Sequence, residues 1–236
     1  MTSLTPLLRA LPTLLSELAG DALSPPSCAA CDERLPRRAI FCAACASSVL
    51  DDTEGDGTSI AAGLYGGALG TAIRRLKYGS RPDLGRPLGH LALRAARQAG
   101  LTVDLVVPVP LHPDRLVERG YNQASLIAAV VSRGLGVPMA ARALHRVHAT
   151  APQALLGRQA RLDNLAGAFA AREASRLRGR RVLVVDDVAT TGATLGACRE
   201  AMMCAGAASV IGLVLARAER MDAEASGGDA GRLLAS

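Results

Sequence analysis

From about Ile60 onward, short apolar runs alternate with segments in which apolar residues recur every three or four positions. The runs Val103–Val109, Val182–Asp187 and Ser209–Ala216 suit strands buried on both faces. Helical spacing covers 68–78, 84–98 (ending near Gly100) and 122–133. The last of these places Leu126, Ile127, Val130 and Val131 on one face, with Gly134 read as its stop. A further helix is expected over Gly192–Ala205, ended by Gly206, and a further strand over Met139–Leu144. Residues 146–161 lack periodicity, contain Pro152 and Gly157, and read as a mobile loop. Strands alternating with helices predict an α/β fold with a mainly parallel sheet flanked by helices.

The rest of the chain divides around this unit. Residues 1–24 carry leucines at helix-face spacings, broken by Arg9, Pro12 and Glu17, and read as an N-terminal amphipathic segment. That interruption is unlike the unbroken core of a signal peptide. Pro25-Pro26 opens a cysteine-bearing knuckle over 25–50, and an acidic, Gly-containing linker follows at 51–59. The α/β unit is expected over 60–218, and a disordered Gly/Ala/Ser-rich tail over 219–236. No apolar stretch is long enough to span a bilayer, so the expected compartment is the cytoplasm, where thiols stay reduced.

Half the residues are hydrophobic, but there are only two Phe, three Tyr and no Trp, so the core must be aliphatic. Few aromatics remain to build stacking platforms for single-stranded nucleic acid. The net charge of +6 comes almost wholly from arginine, with Lys77 the only lysine. Such a balance suits phosphate-bearing partners, although arginines spread over solvated faces would give the same total.

Four of the six cysteines fall in two Cys-x-x-Cys pairs, Cys28/Cys31 and Cys42/Cys45. Four thiolates at paired spacing fit a closed tetrahedral Zn²⁺ site, and a metal would hold so short a segment folded. A redox dithiol or an iron–sulfur centre is the competing reading. Cys198 and Cys204 fall on or near the apolar side of a helix and read as packing. No spacing among His90, His112, His145 and His148 makes a metal site or a triad.

The segment from Val182 to Thr194 carries the sharpest chemistry. An apolar strand delivers Asp186 and Asp187 to the carboxyl edge of the sheet, where open α/β sheets bind ligands. Ala189, Thr190, Thr191, Gly192, Ala193 and Thr194 then lead into a helix whose first N–H groups can cradle a phosphate. Gly192 allows close approach of the backbone, and Thr191 and Thr194 add hydroxyl donors. The carboxylates can accept from sugar hydroxyls or hold a hydrated Mg²⁺ that also grips a pyrophosphate. Phosphate at one end and diol or metal at the other describe a ribose 5-phosphate. The plainer reading makes a threonine the helix cap and the aspartates loop residues. A second stretch, Val107 to Ala124, ends a strand in a proline-stiffened turn through Pro110 and Leu111 and places Arg115 and Arg119 before a helix. Those arginines can neutralise a pyrophosphate, or can pair with Asp114 and Glu118 on a solvated turn.

Residues 182–194 resemble the phosphoribosyl-pyrophosphate signature of type I phosphoribosyltransferases. The resemblance implies that Asp186 and Asp187 contact the ribose hydroxyls and that 189–194 bind the 5-phosphate. Purine-salvage members carry an aspartate where Thr190 stands, which argues against a standard enzyme of that kind. Pro-Val-Pro-Leu-His, Arg-Gly-Tyr-Asn-Gln-Ala, Asn164 and Gly167-Ala-Phe169 occur in the order found in the ComF family. So do the N-terminal Pro-Pro-x-Cys-x-x-Cys element and Leu76-Lys77-Tyr78. That likeness spans residues from about 4 to 218 and implies a zinc knuckle and a role in natural competence. Three functions follow as expectations. The first is an interaction protein that binds the phosphosugar and meets single-stranded DNA or the import machinery. The second is an active phosphoribosyltransferase, and the third a ligand-gated sensor.

Overall fold

The computed structural model of this chain describes residues 26–36, 39–52, 57–147 and 167–218. The N-terminal segment 1–24, residues 148–166 with His148 and Asn164, and the tail from 219 lie outside the described residues. Four strands build the main sheet: β1 (Ser59–Ala61), β2 (Leu105–Pro108), β5 (Arg181–Ala189) and β6 (Ser209–Arg217). Their order is β1-β6-β5-β2, and every pairing is parallel. A second sheet pairs β3 (Leu144–Arg146) with β4 (Phe169–Ala171) in antiparallel fashion.

Successive side chains on a strand face opposite sides, so an unbroken apolar run feeds two cores. Leu183 and Val185 pack with Val106, Leu213 and Leu215 against three helices on one side: α2 (Gly67–Tyr78), α3 (Gly85–Gln98) and α5 (Gln123–Leu135). Val182 and Val184 pack on the other side with Val107, Val214 and the buried Cys198 and Met202 of α7 (Ala193–Cys204). The three shorter helices are α1 (Ala43–Ala46), α4 (Pro113–Arg119) and α6 (Ala174–Leu177). The mainly parallel sheet flanked by helices is therefore present. No helix among the described residues is long and apolar enough to cross a membrane.

Three local expectations are corrected. Gly134 does not stop α5; the helix runs on to Leu135, and Gly136, with φ of 71°, provides the left-handed end. Gly134 instead lies where α3 crosses, and a Cβ there would sit 2.1 Å from a Leu93 methyl. The strand expected over Met139–Leu144 shrinks to a parallel bridge between Met139 and Val106. Pro138 has no N–H to extend the ladder, and the chain turns at Ala140–Ala143 before β3 begins. Arg146, taken as the start of a loop, ends strand β3.

The cysteine-bearing segment is docked on α2. Ala29 is fully buried in the same core as Leu69, Ile73 and Leu76, and Arg75 donates to its carbonyl at 3.0 Å. Asp32 is ion-paired with both Arg75 and Arg81. Ser48 Oγ accepts from the Ala68 N–H at 3.0 Å, so this segment also caps the start of α2. Downstream, Asp52 pairs with Arg217 of β6 at 2.8 Å, both side chains nearly closed to solvent.

Candidate functional site

Where β5 leaves the sheet, strand alternation sends its two carboxylates to different neighbours. Asp187, on the side of Leu183 and Val185, is buried and meets the Lys77 ammonium of α2 at 2.8 Å. Burial alone would lower the Lys77 pKa, but the charge and hydrogen bond of Asp187 outweigh it and raise the value. Asp186, on the other side, accepts the Asp187 N–H at 2.8 Å and has Arg146 and Cys198 nearby. Burial, aided by the Asp187 charge, pushes the Asp186 carboxyl up to about 7, against the pull of Lys77 and Arg146.

Past the acids, the chain turns through Thr190 and Thr191 to Gly192, whose φ of 76° is left-handed and suits glycine. Gly192 opens α7 with no side-chain cap, and Thr191 Oγ1 accepts from Ala193 N–H at 3.4 Å. The turn and the start of α7 border a recess of about 150 Å³ lined by Lys77, Val188 to Gly192, Thr194 and Leu195. A second cavity, of about 380 Å³, shares Lys77, Val188 and Thr194 with the first. Its walls add Asp186 and Asp187 from β5, the turn Val109–His112, and Arg115 and Arg119 of α4.

The proposed phosphate, diol and pyrophosphate residues therefore converge on two joined hollows. Pro110, Leu111, Arg115, Arg119, Asp186, Asp187 and Thr194 border the larger, and Ala189, Thr190, Thr191, Gly192 and Thr194 the smaller. Ala193 is buried and lines neither. Arg115 does pair with Glu118, at 3.5 Å, in an exposed contact of the kind that contributes little. The Arg119 guanidinium instead lies over the Tyr78 ring, 4.9 Å from its centroid. Its Nε is buried with no hydrogen-bond partner among the described residues.

Sequence reasoning left His112 unassigned, as one of several histidines that could touch a pyrophosphate, and did not place Lys77, Asn122, Gln123 or Arg146 in this wall. Lys77 had a visible signal, as the solitary lysine of the chain. His112 caps α4, with Nδ1 accepting from Asp114 N–H at 3.3 Å, and Asn122 caps α5 while donating to Val109 O at 3.0 Å. Arg146 comes from a strand where a loop was expected, so pattern alone gave it no position. Cys198 is packing as expected, whereas Cys204 is exposed at the end of α7.

The four clustered cysteines bring their Sγ atoms within 4.8 Å of one another, with Cys31 and Cys42 3.7 Å apart. Zn–S bonds of about 2.3 Å in a tetrahedron set sulfurs about 3.8 Å apart, so the cluster could hold a zinc ion. Burial opposes ionisation of Cys28, but N–H groups of Cys42, Cys31 and Ala30 bring its thiol down to about 6.

A family model described as a phosphoribosyl transferase domain matches residues 121–228. Together with the parallel sheet flanked by helices, it marks the fold as phosphoribosyltransferase-like. The chain is 36% identical over 151 residues to the DNA utilization protein YhgH of Escherichia coli K12, spanning 62% of this chain and 66% of that one. It is 35% identical over 176 residues to Competence protein F of Haemophilus influenzae, spanning 72% of this chain and 75% of the relative. On these relations the chain belongs to the ComF family. The glutamine phosphoribosylpyrophosphate amidotransferase of B. subtilis, solved with ADP and GMP, overlaps 59% of this chain at 22% identity. That overlap covers 30% of the amidotransferase with a TM-score of 0.42, too little to carry an argument.

Proposed function

We propose that this protein binds 5-phosphoribosyl-1-pyrophosphate, or a closely related phosphosugar, across the two joined cavities. We further propose that it serves natural competence by handling imported single-stranded DNA in the cytoplasm. The carrying observation is the seam between the hollows: Lys77, Val188 and Thr194 belong to both, between a recess at the N-terminus of α7 and a pair of carboxylates. A 5-phosphate in the smaller recess would meet the N–H groups of α7 and the Thr191 and Thr194 hydroxyls. The ribose would then lie beside Asp186 and Asp187, with the pyrophosphate towards Arg115, Arg119 and the turn at Pro110 and Leu111.

Asp186 and Asp187, on the wall of the larger cavity, are the residues that would hold a hydrated Mg²⁺, Asp187 being already paired with Lys77. When bound, the ion would neutralise pyrophosphate oxygens. The protein's own part is to fix the sugar at both ends and supply arginine donors to the anion. The competence role draws on the ComF relatives, and the net charge of +6 favours contact with nucleic acid.

Calorimetric titration with the phosphoribosyl ligand, with and without Mg²⁺, tests the reading. Saturable binding is expected, weakened about tenfold or more in Asp187→Asn by loss of a charge-assisted contact of about 1.5–3 kcal/mol. An unchanged curve for that variant overturns the site. A pyrophosphate-release assay over a panel of bases distinguishes a transferase from a binding protein. Salt-sensitive retention of a labelled single strand checks the DNA role.

A further inference from the structure

We infer that Tyr78 and Arg119 form a stacking ledge for a planar nucleobase at the mouth of the larger cavity; the inference rests on reading that cavity as the phosphosugar site. The chain has five aromatic side chains, and four are committed to the interior. Phe41 and Tyr65 pack against the core below the helices, Phe169 is buried under Arg146, and Tyr121 donates its hydroxyl to Leu76 O at 2.6 Å. Tyr78 alone stands out, with 69% of its surface open.

Its position is specific. Tyr78 ends α2, one residue after the lysine that grips Asp187. Arg119 covers one face of the ring and itself lines the cavity, so the ring is one side chain away from that space. The hydrogen bond from Tyr121 to Leu76 O ties down the turn that carries both Lys77 and Tyr78. The guanidinium lies 4.9 Å from the ring centroid, and its Nε is buried without a hydrogen-bond partner among the described residues. A flat heterocycle carrying or flanked by phosphate satisfies both components: stacking on the ring and charge from the arginine. The base can come from a free nucleotide or from a single strand passing the cavity mouth.

Because the chain lacks tryptophan, Tyr78→Trp supplies a solitary indole whose emission reports stacking. The full-length, zinc-loaded protein is titrated with the phosphoribosyl ligand plus Mg²⁺, with adenosine monophosphate, and with a short oligothymidylate at low and raised salt. We expect one base-bearing probe to quench the indole to saturation. We expect Tyr78→Ala to bind that probe about tenfold or more weakly, Tyr78→Phe within about twofold, and both to bind the phosphosugar as the parent does. Quenching by the mononucleotide alone assigns a free base. Salt-sensitive quenching by the oligothymidylate assigns a single strand. Equal affinity of Tyr78→Ala and parent for the base-bearing probes, or binding of neither probe by the parent, overturns the ledge while leaving the phosphosugar reading intact. Oligothymidylate quenching without phosphosugar binding sinks that reading and leaves the ledge standing.

Discussion

Lys77 is the one ammonium group in a wall otherwise supplied by guanidinium groups, and it sits against a buried carboxylate. Its compact ammonium meets Asp187 at 2.8 Å as a point charge, without the two-pronged geometry of a guanidinium. Removing it leaves two carboxylates crowded together without their nearest cation. Lys77→Ala should therefore cost about 3 kcal/mol in a urea melt, the usual penalty for stranding half of a buried pair. A cost within experimental error would mean that the pair is idle. Asp186 adds a pH signature. Its folded-state value, about 7, lies above the ordinary carboxylate range, so the native protein holds a proton that the unfolded chain gives up. The stability contributed is complete below about pH 4 and drains away as pH rises through 7. Thermal melts should lose stability over that window in the parent and much less in Asp186→Asn; parallel slopes would contradict the assignment. The acids and the threonine–glycine turn were legible because strand, charge and turn chemistry occur consecutively. Lys77 and Arg146 reach the site from elements far away in sequence, and no local pattern encodes that approach.

The elements were readable where burial is two-sided and continuous, as in β5 and β6, whose apolar runs left one interpretation. Glycine was harder. A glycine that ends a helix and one that lets two helices touch look the same in a sequence, which is why Gly134 was taken for a stop. The α3–α5 crossing can be tested at Gly89, where a Cβ would lie 2.7 Å from Val130 Cβ, an atom close to the backbone and unable to swing away. An alanine in an exposed helix would gain nearly 1 kcal/mol over glycine, but overpacking costs about 1–3 kcal/mol. Gly89→Ala should thus lower the melting temperature by about 2–4 °C, and a rise would show the crossing to be slack. The helix α2 serves the cysteine cluster at Ala68 and Arg75 and the cavity at Lys77. Elemental analysis of the purified protein should find about one zinc per chain, and stripping it with a chelator should weaken phosphosugar binding as well as stability. Zinc-free protein with full affinity would uncouple the two.

At the scale of the molecule, the stretch read as a linker is partly fastened. Asp52 pairs with Arg217 in a nearly solvent-free contact, and Arg217 also donates to Ser59 O at 2.9 Å. No spacing rule connects residues so distant, so the sequence reading saw only an acidic run. Arg217→Ala should destabilise the protein by about 3 kcal/mol in denaturant titration, far above the cost of an exposed pair. The strand order carries a further implication. The latest described strand, β6, is the sheet's inner neighbour to β1 on one side and β5 on the other, with Ser59 beside Gly212. During synthesis, β1 must therefore wait for its sheet partner until β6, some 150 residues later, has left the ribosome. Pairing of β1 is thereby deferred until β6 is available, and the unpaired edge stays open to chaperones and proteases in the interval.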